Sequence, residues 1–202
     1  MKTGVAVNDP IDEADEFDED AHDLLLSIGR FQQMVERVPW FQDIGKPLSP
    51  MLEGLTQRYL DELGFPDARL APVHEWEDAV SVAENPDIDS ESWEAEELLR
   101  AELSQQAMEL WDEETLTMVL EKLTQAVGTV ALREAEAAAE INGIRDGAFL
   151  EAAVAHAVNS TYQAALVLAA QISDDHPFAT KFALFERGRW PIGITGGSFN
   201  LY

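Results

Sequence analysis

From residue 147 to residue 172 the chain runs for 26 residues with one charged side chain, Glu151. A helix lacking a charged face is normally the buried centre of a bundle rather than a surface element. Nine of these residues are alanine, which lets neighbouring helices approach closely. Asp146 supplies a capping carboxylate at its start. The rest of the chain must then cover this helix, and the expected fold is mainly α: a bundle of six or seven helices with a small C-terminal β-hairpin.

The apolar spacing supports that reading. Leu24, Leu25, Ile28, Phe31, Met34, Val35 and Val38 recur at helical intervals and predict a first helix from about Asp20, closed by Pro39. Ser49-Pro50 starts a second helix, with Gly64 just past its end. A shorter helix is expected over 74–84. Another follows from Asp89 or Ser90 to about Leu110, with Trp93, Leu98, Leu99, Leu103, Ala107 and Leu110 inward. Asp112 caps a long helix over 113–141 that ends at Asn142-Gly143, and His176-Pro177 begins the last, ended by Gly188. From Arg189 the period changes to two. A two-residue Gly196-Gly197 turn would pair Ile194 with Phe199 and Ile192 with Leu201, placing both pairs on one face with Trp190. The hairpin's outer strand would leave an unpaired edge for a second copy or a partner strand.

Charge is the other constraint. The chain carries 39 acids against 13 bases, a net charge of −26. Residues 1–19 form a low-hydrophobicity acidic segment, read as a disordered tail. Residues 20–202 are read as a single helical domain including the hairpin over 189–202. Residues 81–114 hold twelve acids and one base. Such a surface repels phosphate backbones, so nucleic acid is excluded as a direct partner. No run of about 18 apolar residues exists to cross a membrane, and the N-terminal sequence lacks the apolar centre of a secretory signal. With no cysteine, disulfides and thiolate sites are excluded. A cytoplasmic protein is expected, with a homo-oligomer compatible with the composition.

Motifs that carry chemistry are scarce. Glu19-x-x-His22 has a metal-binding spacing, but the second such motif of a bundle di-metal site is absent, and any His beside so many acids acquires one by chance. Asp87, Asp89 and Glu91 alternate without the glycine of a calcium loop and read as a capped helix start. The glycines at 193, 196 and 197 match no nucleotide fingerprint. No metal and no cofactor is expected. Two arrangements remain. His156, Asn159, Ser160, Gln163 and Gln171 share an arc of roughly 120° on the central helix, and the first four outline a candidate site, with Thr124, Gln125 and Thr129 available opposite. They outline a polar pocket between helices, the usual place for a ligand in a bundle. Glu91, Glu94, Glu97 and Glu102 form an acidic face suited to a basic protein partner. Trp40-Phe41, opening an interhelical segment, is the aromatic pair read as the exception to core placement. The leading expectation is a non-enzymatic interaction protein using the acidic face; the alternative is a small-ligand binder or enzyme using the His156 pocket.

Overall fold

The computed structural model describes the backbone of residues 13–85, 90–173 and 175–202, and within these the side chains from Leu24 on. Among the described residues there are seven helices and three strands. In chain order they are α1 (Glu13–Val35), α2 (Pro50–Leu63), β1 (Arg69–Pro72), α3 (Trp76–Ala83), α4 (Ser90–Leu110), α5 (Glu113–Asn142), α6 (Gly147–Ala169), α7 (Pro177–Phe185), β2 (Pro191–Thr195) and β3 (Ser198–Leu201). The mainly α architecture is the one the sequence predicts.

α6 is the centre. Phe149, Ala153, Ala157, Ala165 and Ala169 are fully buried, and α6 packs most extensively on α5, whose buried stripe includes Ala131, Ala135 and Ala138. Small residues facing small residues let the two backbones approach, so methyl groups fill the seam at close-packed density. α1, α4 and α7 cover the other sides of α6. Capping follows the sequence signals: the side chains of Ser49, Asp112, Asp146 and His176 each accept a bond from the first turn of their helix.

Several expectations are corrected. α1 starts at Glu13, seven residues before Asp20, so the acidic segment enters a helix instead of ending in a tail at residue 19. Extending an anchored helix costs little, and acids at its N-terminus complement the helix dipole. Residues 1–12 of the expected disordered tail lie outside the described residues, as do Asp87, Asp89 and the side chains of Glu19 and His22. Trp40 and Phe41 are fully buried rather than available to a partner. They lie in an aromatic cluster with Phe182, Phe185 and Trp190, with ring centroids 5.1–6.1 Å apart. On α4 the inward stripe is Glu96, Leu99, Leu103 and Ala107, while Trp93, Leu98 and Leu110 are exposed. Leu98 lies roughly 140° around the helix from Leu103, off that stripe.

The hairpin forms with its turn at Gly196-Gly197, both at positive φ (56° and 74°), the geometry of a turn that continues strand twist. Ile194 pairs with Phe199 as expected. Ile192 does not pair with Leu201: a bulge inserts it, and Pro191 takes that place. β3 is also not an edge. β1 pairs with it in parallel, Leu70 opposite Phe199, giving the order β1-β3-β2. The hairpin's outer strand, β2, keeps the expected unpaired edge, and each outer strand of the sheet carries a proline, Pro72 or Pro191. Trp190, at 2% exposure, anchors the sheet on the bundle beside Trp76, Phe149 and His156. Buried Arg189 ties the loop before α2 to the strands, donating from Nη1 to the Lys46 carbonyl and from Nη2 to the Pro47 carbonyl, both at 2.7 Å.

Candidate functional site

A pocket of about 240 Å³ opens where α2, α4, α6, α7 and the hairpin meet. α6 contributes His156 and Asn159. α2 contributes Tyr59, α4 Trp93 and Glu96, and α7 Lys181. Ile192, Gly193, Ile194 and Phe199 close it from the hairpin. The bulge helps here: Gly193 sits at φ 147°, which L side chains rarely adopt, and this lets β2 curve over the opening.

Glu96 is the hub. Lys181 Nζ donates to both its carboxylate oxygens at 2.7 Å. The Tyr59 hydroxyl donates to Oε1 at 2.6 Å, and Gln163 Nε2 donates to Oε2 at 3.2 Å. The Glu96 and Lys181 side chains are 18% and 14% exposed, so this is a largely desolvated ion pair. Burial works against ionising Glu96. The Lys181 charge and the hydrogen bonds from Lys181, Tyr59 and Gln163 outweigh it, and its pKa falls below the ordinary 4.5. Burial pushes the Tyr59 hydroxyl well above 10, and the Glu96 charge adds to that. The floor of the pocket thus carries two opposite charges that satisfy each other.

His156 is held differently. The Trp190 indole N–H donates to its Nδ1 at 3.0 Å. Nδ1 must therefore lack a hydrogen, and the neutral ring carries its hydrogen on Nε2. The pKa is lowered, first by burial and then by the Lys181 charge, against opposing contributions from a Pro191 backbone hydrogen bond and Glu96. Although the residue as a whole is exposed at the pocket wall, the edge facing Trp190 is enclosed.

Of the four pocket residues expected from the sequence, His156 and Asn159 line the opening, and Gln163 supports it through Glu96. Ser160 is buried with no partner for its Oγ among the described residues, so it belongs to the helix packing behind the wall. Thr124 and Thr129 bond carbonyls of their own helix, and neither they nor Gln125 lines this pocket. Sequence reasoning missed Glu96, Lys181 and Tyr59. One signal was present: Lys181 is the only charged residue in α7, and a lone cation on an apolar helix needs a partner. Nothing distinguished Glu96 from its neighbours Glu94 and Glu97.

The acidic face of α4 is only partly free. Glu91, Glu94 and Glu102 are exposed, but Glu97 accepts a fork of bonds from Arg100. Among the described residues no group of three potential metal ligands occurs, and no helix is long and apolar enough to cross a membrane. No family model matches the chain, and comparison with curated proteins and with solved structures returned no significant match.

Proposed function

We propose that the protein binds a small, uncharged, polar ligand in the pocket beside His156 and Asn159. The observation that carries this reading is the Glu96–Lys181 pair in the floor. Its charges cancel, so an ionic ligand would meet no uncompensated opposite charge and would have to give up its own hydration. The wall groups suit a neutral molecule. Asn159 offers a donor and an acceptor, while the single N–H of neutral His156 is turned to the Pro191 backbone. Ile192, Ile194, Phe199 and Trp93 supply apolar contact around them. The volume lies below the roughly 300–1,000 Å³ of drug-sized sites, so the ligand is small. A fragment set of neutral amides, polyols and heterocycles, followed by NMR, tests this. Fragments should shift the Trp190 indole and Asn159 side-chain resonances, and Asn159→Phe, which fills the mouth at an exposed position, should abolish binding. Fragments that bind the variant equally well would defeat the proposal.

A second reading retains the acidic face of α4. Trp93 and Leu98 are 65% and 67% exposed beside Glu91, Glu94 and Glu102. Large apolar side chains among acids suit a basic amphipathic helix, which would bury the former and neutralise the latter. A basic amphipathic peptide should then bind with strong salt dependence, and Leu98→Ser should weaken it. Binding that ignores both salt and this substitution would refute the reading.

A further inference from the structure

In a chain with three acids for every base, three arginines share one surface depression. Arg30 of α1, Arg37 in the turn after it and Arg187 after α7 line a pocket of about 430 Å³ with Gln33, Met34 and Glu186. All three are exposed, and none makes a side-chain hydrogen bond or ion pair with a described residue. Arg58, Arg100 and Arg133 pair with carboxylates and Arg189 bonds two carbonyls, while Arg69 and Arg145, exposed like these three, lie outside the depression. The single carboxylate here, Glu186, is half-buried, and burial raises its pKa, against the pull of Arg187.

This basic pocket continues into another. Arg30, Met34 and Glu186 also line a groove of about 540 Å³ between α1, α2, α6 and α7. The rest of its lining is mostly apolar, with Phe31, Leu55, Val167, Leu168 and Phe182, and its one further charged side chain, Arg58, is paired with Glu62. The cleft therefore has a cationic end and an apolar run, on the opposite side of α7 from Lys181.

We infer that this cleft binds a free single-chain amphiphile, with a phosphomonoester head on Arg30, Arg37 and Arg187 and an alkyl tail in the groove. The charge count favours this head. Three guanidiniums against one carboxylate leave two positive charges, and a phosphomonoester carries about −1.5 to −2 at pH 7. Guanidinium forks match phosphate oxygens in pairs. The distant acids of α4 do not cancel the attraction, because exposed charges are screened over about 8 Å at physiological salt. The groove's volume falls in the usual range for a bound small molecule, and its apolar lining gives the tail a reason to leave water.

The test is calorimetric titration at 0.15 M salt with decyl phosphate kept below its micelle concentration. Inorganic phosphate, decanol and vesicles containing phosphatidic acid serve as parallel probes. Decyl phosphate should bind at least tenfold more tightly than inorganic phosphate or decanol. Arg30→Ala with Arg187→Ala should weaken it tenfold or more while leaving the melting temperature unchanged, since both side chains are exposed. A second variant, Met34→Glu, places a carboxylate between the two compartments and should weaken decyl phosphate likewise. Equal binding of inorganic phosphate would remove the tail from the groove. Equal binding by the arginine variant would remove the head from the arginines. Binding to vesicles alone would assign the surface to a bilayer and overturn the proposal, as would no binding at all.

Discussion

Lys181→Met isolates the electrostatics of the pocket floor. The substitution keeps most of the side chain's length and apolar stem but removes the ammonium that contacts both Glu96 oxygens at 2.7 Å. Glu96 then keeps only the Tyr59 and Gln163 bonds in a site where it is largely desolvated. Breaking a buried pair by removing one partner costs about 3–5 kcal/mol. The carboxyl has an escape, which is to take up a proton. From an unfolded value of 4.5, protonation at pH 7 spans two and a half pH units, about 3.4 kcal/mol at 1.36 kcal/mol per unit. The deficit against the wild type should therefore be near 3 kcal/mol at pH 7 by urea denaturation. It should shrink by most of that amount at about pH 4.5, where protonation is nearly free. A deficit below about 1 kcal/mol, or one that does not change with pH, would refute the idea that Lys181 holds a buried anion.

Four further expectations follow. Ala157→Leu should cost roughly 1–3 kcal/mol in chemical denaturation, because Ala157 is fully buried on the central helix and has no room for added methyls; a neutral effect would move α6 out of the core. His156 and His176 both have pKa values below the ordinary 6.5, so the unfolded chain takes up their protons first. Their contribution to stability is full above about pH 6.5 and declines as pH falls below it. Trp190→Phe removes the donor that keeps Nδ1 of His156 bare and should raise that residue's pKa in an NMR titration. Added salt at neutral pH should raise the melting temperature, since the crowded acids of residues 81–114 repel one another; a flat response would mean they are already compensated.

The parts of the fold that could be read from the sequence were those set by long periodic patterns and strong punctuation. α6 announced itself by lacking charge, and α2 and α5 by Ser49-Pro50, Gly64, Asp112 and Gly143. The Gly196-Gly197 turn was legible for the same reason. What escaped depended on distant neighbours. β1 is four residues long with no alternation, and becomes a strand because β3 lies beside it. The inner face of α4 could not be chosen correctly, since acids and apolar residues are spread round the whole helix. The candidate site divides the same way. His156 and Asn159 share a helix face with Gln163, a relation local in sequence. Glu96 meets Lys181 across 85 residues, and no local pattern encodes that meeting.

The pocket depends on one ionised carboxylate in a desolvated floor. A carbon-13 titration of the Glu96 carboxyl in the otherwise unaltered protein tests this directly, with Lys181→Met as the reference for its assignment. The midpoint should lie below 4.5, with the carboxyl charged throughout the neutral range. A midpoint above 4.5 would mean that burial outweighs Lys181 and the hydrogen bonds from Tyr59 and Gln163, and one above 7 would leave the pocket floor with an unpaired cation at neutral pH instead of a neutral pair.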